Sequence, residues 1–329
     1  MDRWFIITNE GIGYITKNNS KQTAFREYNY YTSDMQIKLQ PDNVAVIKFS
    51  IRDFEIKVTK TLIFLDLIYA IIEGFLHSSV LVKNRYESFC KQYSNNDVKF
   101  FINGCGDSYF QHIYDELLKA KKEVFINDWF LSPQIYLKRP IEDFPESRLD
   151  YVLTHLANKG VHIFIIIYKE FEDALYNNSN YTKQYLNKCH SNIHVVRHPR
   201  YFIHFWSHHE KMLIIDGRVA FMGGIDLCFG RFEFPNYPLK EPYPNKTYFK
   251  GQDYSNPRIK DFENVHKWDT CLIDKNSEPR MPWRDIAIKL NGDIVKGMKK
   301  HFLQFWSFNN IQFDYKNTIT RNMSNLKRL

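Results

Sequence analysis

A chain of 329 residues is longer than most single domains, and 44% hydrophobic with 25% charged residues suffices for a substantial core, which excludes a disordered chain. Lysine and arginine outnumber aspartate and glutamate 45 to 37, a balance of +8 that favours lipid headgroups, phosphorylated substrates or nucleic acid as partners. The opening residues, MDRWFIITNEG, lack the apolar core of a signal peptide, and the longest apolar run, 62–75, falls short of the ~20 residues that cross a bilayer.

Short aromatic and β-branched runs at 4–7, 12–15, 44–51 and 54–58, separated by turn formers, predict antiparallel hairpins. Leu62, Leu65, Tyr69, Ile72 and Leu76 then recur at spacings of three and four, which predicts one helical face laid along the sheet. Residues 78–96 are rich in serine and asparagine and read as a connector. A different rhythm follows. A strand at 98–102 precedes a helical stripe of Phe110, Ile113, Tyr114, Leu117 and Leu118, and a strand at 124–129 precedes a second stripe of Leu149, Val152, Leu153, Leu156 and Ala157. Gly160 is placed to stop that helix before a continuous apolar strand at 161–168. Strand, helix, strand, helix, strand predicts an α/β fold, a mixed sheet with flanking helices, preceded by a small β-rich module. Further strands are expected at 192–197, 202–215 and 219–222, and a helix at 294–308, before a solvated tail at 316–329.

The chemistry concentrates in SHHEKMLIIDG at 207–217, which contains H-x-K-x-x-x-x-D as His209, Lys211 and Asp216. On a strand, residues two apart share a face, so His209 and Lys211 are expected to project into one pocket while Met212 and Ile214 pack behind. Imidazole suits nucleophilic attack on a phosphodiester, because its pKa of ~6.5 leaves it largely neutral near pH 7. An ammonium beside it neutralises the charge that builds on the non-bridging oxygens, with no metal needed. Plainer readings stand alongside. Asp216-Gly217 between apolar runs is equally a two-residue hairpin turn. His204 and His208, four apart with Glu210 near, make a metal site only on a helix, and this segment reads as strand.

The stretch HHEKMLIIDGRVAFMGGIDLCFGRF, Asp226 included, resembles the first HKD motif of eukaryotic phospholipase D with its downstream glycines. Similarity continues in order and spacing through VFINDWFLSPQIYLKRP at 124–140, RLDYVLTHLANKGVHIFIIIYKE at 148–170, NIHVVRHP at 192–199, PRMPWRDIAIKLNG at 279–292 and HFLQFWSF at 301–308. This resemblance implies that His209 is a nucleophile forming a phosphohistidine, Lys211 a phosphate ligand and Asp216 an orienting residue. It also implies that Gly223, Gly224 and Asp226 support the pocket. Asp128 and Trp129 follow a predicted strand and are placed to line the cleft, with buried packing the expected role of Trp129. The implied reaction is hydrolysis of phosphatidylcholine to phosphatidate and choline, without a metal or cofactor, with phosphoinositide activation carried over from the family. The rivals are a non-catalytic phosphoinositide- or membrane-binding relic and a nuclease-like phosphodiesterase. Basic runs with interleaved aromatics are lacking, so nucleic acid is not expected as a partner.

Residues 1–77 resemble a pleckstrin homology module that is incomplete, 78–96 a connector, and 97–315 one catalytic half. The family's reaction uses two motifs, yet no other histidine in the chain is followed by lysine at the second and aspartate at the seventh position. The expected partners are therefore a phospholipid membrane surface and either a second HKD-bearing half or a second copy of the chain. Five cysteines without a C-x-x-C pair suggest neither a zinc site nor a disulfide framework and fit a reducing compartment, and the resemblance implies a cytoplasmic protein peripheral on membranes.

Overall fold

The computed structural model describes residues 3–8, 10–17, 23–49, 52–78, 80, 90, 92–103, 108–171, 175–198 and 207–314. The chain divides into two compact units, 1–92 with 318–329 and 93–317.

The first unit is a small β-rich module. Strands β1 (Arg3–Ile7), β2 (Gly11–Lys17) and β3 (Thr23–Tyr30) form one antiparallel sheet, and β4 (Gln36–Gln40), β5 (Val44–Phe49) and β6 (Arg52–Lys57) form another. Strands β3 and β4 carry too little β-branched alternation to be expected from sequence. On β5 the alternation is strict: Ala45, Ile47 and Phe49 are buried, and across the ladder Ala45 meets Ile56 while Ile47 meets Phe54. Helix α1 (Thr61–Leu76) lies on this core through Phe64, Ile68 and Ile71. That reverses the predicted face, since Leu62 is 78% and Tyr69 66% exposed. The helix is apolar almost all round, so two stripes share the same spacing and periodicity cannot choose between them. Gly74 chooses. A Cβ there would come within 2.6 Å of the Thr8 carbonyl oxygen and 2.9 Å of Tyr31 Oη, and the Tyr31 hydroxyl donates to the Ile71 carbonyl at 3.3 Å.

The second unit is a seven-stranded mixed sheet with flanking helices. In chain order it comprises β7 (Asn96–Ile102), α2 (Tyr109–Leu117), β8 (Glu123–Asp128), α3 (Leu149–Asn158), β9 (His162–Tyr168), α4 (Ser179–Cys189), β10 (Ile193–His198), β11 (Met212–Ile215), β12 (Val219–Gly223), β13 (Ile286–Gly292) and α5 (Ile294–Asp314). The spatial order is β10-β9-β8-β11-β12-β13-β7, parallel across β8, β9 and β10 and antiparallel elsewhere. All six residues of β8 are buried, because both faces of the central sheet are covered. Val124 and Ile126 face the core formed with Ile113, Leu117, Leu153 and Leu156 of α2 and α3. Phe125 points the other way, its ring centre 4.8 Å from that of Phe302 on α5, and Trp306 of α5 closes over Phe164 of β9.

The strand predicted at 202–215 is shorter than expected. Residues 201–206 lie outside the described ones, 207–211 have no regular structure, and pairing begins at Met212 opposite Asn127 and Met222. Two elements were missed from sequence: α4, too polar for a clear stripe, and β13, whose apolar residues alternate with polar ones in a short run. On the sheet face away from Phe101, the corner of β7, β13 and β12 carrying Phe100, Ile102, Ile286 and Met222 is exposed among the described residues. Phe100 is 68% and Ile102 64% exposed, whereas Phe101 between them is buried. Ile102 pairs with Ile286, Phe100 with Ile288, and Ile288 with Met222, so the apolar strip is continuous across three strands.

Candidate active site

Three chain segments end together at one edge of the central sheet: the C-terminus of β8 at Asp128, the residues leading into β11, and the C-terminus of β12 at Gly223. Their convergence follows from the ladder, in which the Gly223 N–H donates to the Lys211 carbonyl at 3.3 Å. Gly223 permits the neighbouring contact, since a Cβ there would lie 2.5 Å from Ala287 Cα and the Ile286 carbonyl oxygen. The Gly224 N–H continues the pairing to the Ile286 carbonyl at 2.9 Å.

Lys211 is buried, which for an ammonium demands a partner. Asp226, equally buried, supplies it with Nζ to Oδ1 at 2.9 Å. Asp226 also takes the Phe130 N–H on Oδ1 at 3.4 Å, while Asp128 Oδ2 accepts the Leu227 N–H at 2.9 Å, so the loops after β8 and β12 are tied crosswise by two carboxyl groups. Burial, and then the neighbouring Asp226 carboxylate, push the Asp128 carboxyl well above the usual range.

His209 is exposed, with its ring 5.4 Å from that of Trp129, and Lys211 Nζ is 5.6 Å from the same indole centre. Partial burial, and then the charge of Lys211, hold the imidazole below its ordinary pKa, so it is neutral at pH 7. The two motif residues thus meet at one pocket, although not from a strand: both sit on the irregular residues preceding β11. Between them Glu210 turns away and is clamped. Its carboxylate accepts from Asn127 Nδ2 at 2.7 Å, faces His301 Nε2 of α5 at 3.0 Å and lies 3.6 Å from His208 Nε2. Burial would raise its pKa, but the nearby His208 and the hydrogen-bonded His301 override this and hold it at about 2. The same contact raises His301.

That clamp makes a pH-dependent prediction. A depressed carboxyl contributes stability above its unfolded pKa of about 4.5 that is lost as pH falls toward 2. A raised histidine contributes fully below 6.5 and loses its share as pH climbs through the raised value. Glu210→Gln is thus expected to cost about 2–3 kcal/mol between pH 5 and 6, shrinking on either side, with the partly exposed His301 contributing the smaller part. Urea melts of both proteins from pH 3 to pH 8 measure it; a penalty independent of pH contradicts the clamp.

Asp216 sits at the far end of β11, five residues and roughly 16 Å from Lys211 along an extended chain. With Gly217 it occupies the turn between β11 and β12, with φ of 54° and 60°, and the Arg218 N–H donates back to the Ile215 carbonyl at 2.9 Å. Its carboxylate accepts the backbone N–H groups of Lys121, Lys122 and Glu123 at 2.8, 2.8 and 3.0 Å, which fixes the start of β8. The structure does not bring Asp216 to His209. Sequence reasoning, for its part, missed Arg231 and Trp283: Arg231 Nε donates to Asp226 Oδ2 at 3.2 Å, and its guanidinium carbon lies 3.6 Å from the Trp283 ring centre. The signal available was Arg231 five residues after Asp226 in a stretch otherwise apolar.

The mixed α/β sheet thus presents a neutral histidine and an anchored lysine at one strand-end pocket, a pairing with the nucleophile and the cation that attack on a phosphate ester would need. The sequence matches the phospholipase D family over residues 116–327, and the chain belongs to that family. It is similar to phospholipase D2 of Bos taurus, 38% identical over 249 residues that cover 68% of this chain and 26% of the bovine protein. It is similar also to phospholipase D1 of Saccharomyces cerevisiae, 37% identical over 230 residues, 68% of this chain and 14% of the yeast protein. The chain thus spans about a quarter or less of these relatives' length. Among solved structures, a phospholipase D family member from Salmonella typhimurium overlaps 65% of this chain and 95% of its own, at 10% identity and a TM-score of 0.37, too loosely to bear on function.

Proposed function

We propose that this chain is the first-motif half of a phospholipase D that hydrolyses phosphatidylcholine to phosphatidate and choline at a membrane surface. The observation that carries the reading is an exposed, neutral His209 beside a buried Lys211 whose ammonium is held by Asp226. In this reaction an imidazole nitrogen of His209 attacks phosphorus, a P–N bond forms, and the P–O bond to choline breaks. Lys211 neutralises the non-bridging oxygens, a histidine of the second motif protonates the departing choline oxygen, and water then cleaves the phosphohistidine. In this reading Asp226 positions Lys211, Asp216 holds the hairpin that delivers the motif, and no metal enters.

The second motif comes from another half, which we assign to the bare apolar strip of Met222, Phe100, Ile102 and Ile286. Met222 lies directly before Gly223 at the pocket, so a half seated there brings its own motif to His209. Residues 97–315 are the catalytic half in this reading, 78–96 a connector, and 1–77 a partial pleckstrin-like module at the membrane. The reading is tested by quenching the chain with a second-motif half and radiolabelled short-chain phosphatidylcholine within the first turnover. An acid-labile, base-stable phosphate on His209 is the expected adduct; label elsewhere, or none while turnover proceeds, refutes it.

A further inference from the structure

The motif counts one cation in this half-site, but the pocket holds two. Arg231 is buried, and its Nε sits on Oδ2 of Asp226 at 3.2 Å while Lys211 occupies Oδ1 at 2.9 Å. A single carboxylate therefore carries an ammonium on one oxygen and a guanidinium on the other. Arg231 is also fixed from a second side, stacked 3.6 Å from the ring centre of Trp283. Trp283 is in turn held by a buried fork: Glu233 accepts Arg280 Nη1 and Nη2 at 3.0 and 2.9 Å and the Trp283 backbone N–H at 2.9 Å.

So positioned, the guanidinium has used one of its nitrogens. Among the described residues Nη1 and Nη2 have no hydrogen-bond partner, and they are not closed off from solvent. Building two cations against one anion beneath a pocket is unfavourable unless a further anion arrives. Asp128 is directed elsewhere, its two oxygens accepting the Trp129 and Leu227 N–H groups at 2.9 Å each. Lys211 and Arg231 share the Asp226 carboxylate between them, and a phosphodiester monoanion supplies the second anionic partner. His209 and Lys211 both lie against the Trp129 ring, at 5.4 and 5.6 Å, and Arg231 shares Asp226 with Lys211, so the second cation belongs to the same pocket.

We propose that Arg231 is a second phosphate ligand within this half-site, its two terminal nitrogens reaching the non-bridging oxygens of the phosphodiester beside Lys211. The inference rests on the reading of the pocket as a phosphodiester site. A planar fork suits this task better than a point charge, since two N–H donors meet two oxygens at once. The stacked indole strips water from one face of the guanidinium and strengthens its pull on the anion.

The test titrates inorganic phosphate and dimethyl phosphate into the chain by calorimetry. Arg231→Gln keeps a donor for Asp226 and removes the charge; it is expected to weaken both ligands on the order of 10- to 100-fold. Arg231→Ala is expected to lose as much and to regain part of it with millimolar methylguanidinium, which a purely structural role would not permit. Lys211→Ala separates two kinds of failure. If it weakens phosphate binding while Arg231→Gln binds as the unaltered chain does, the role of Arg231 is overturned and the site reading stands. Should neither substitution matter, the site reading itself fails. A measurement on the unsubstituted chain covers the case of misfolded variants: phosphate is expected to protect Arg231 from phenylglyoxal. Labelling of Arg231 that phosphate does not slow, or no labelling at all, overturns the proposal.

Discussion

His209→Ala is expected to abolish phosphodiester turnover, by at least ~10³-fold, while leaving the fold intact. A covalent nucleophile has no substitute among the described residues at the pocket: Lys211 is tied to Asp226, and Trp129 offers only a ring. The stability side of the experiment is unusually clean. His209 is exposed and its described contact is the Trp129 ring, so truncation should shift stability by less than about 1 kcal/mol. Lys211→Ala is the less clear comparison, because it leaves the buried Asp226 carboxylate with Arg231 alone and mixes lost chemistry with lost stability. The held-down pKa of His209 adds a second readout. Partial burial and the Lys211 charge keep the imidazole unprotonated below its ordinary 6.5, so the acid limb of kcat/KM belongs below that pH. Turnover by His209→Ala near the unaltered level, with the second half present, would falsify the nucleophile assignment.

The central strands were legible because their covering is complete: six buried residues in β8 and a run of apolar residues in β9 leave no polar face to confuse the period. The motif was legible as a spacing, but not its geometry. His209 and Lys211 share a pocket because Glu210 between them is pulled back by Asn127 and His301, which lie 83 and 91 residues away in the chain, and no local pattern encodes that. Asp216 was legible as a turn former, since Asp-Gly tolerates two positive φ angles in succession, whereas its three backbone contacts to the start of β8 come only from the fold. The α1 face was misjudged for the opposite reason. Its surplus of apolar residues offered two equally good stripes, and the small residue that decides between them, Gly74, carries no weight in a hydrophobic period. Arg231 escaped notice because its two anchors, Asp226 and Trp283, lie in segments without secondary structure, where spacing says little about neighbours.

The isolated chain, held as a monomer, is expected to show ~10²–10⁴-fold less turnover than the same chain with a second-motif half, the factor that positioned proton transfer typically supplies. Departure of choline requires a general acid, and among the described residues none is free at the pocket: Asp128 is buried and accepts the Leu227 and Trp129 N–H groups, and His301 is engaged by Glu210. The bare strip on β7, β13 and β12 is where the missing half should seat. Its residues are presented in register from three strands, with Phe100 more than two-thirds exposed on the edge strand, an arrangement that aggregates or pairs unless covered. Phe100→Asp and Ile286→Asp should therefore block complementation. They should barely alter the stability of the chain itself, because exposed side chains contribute within about 0.5 kcal/mol. Titrating a second-motif half into the chain, with turnover followed alongside light-scattering mass, separates the outcomes. Saturable recovery of activity that both aspartate variants lose supports pairing through this strip. Recovery in a chain that carries both substitutions moves the interface elsewhere, and full specific activity from a dilute, verified monomer removes the need for a second motif.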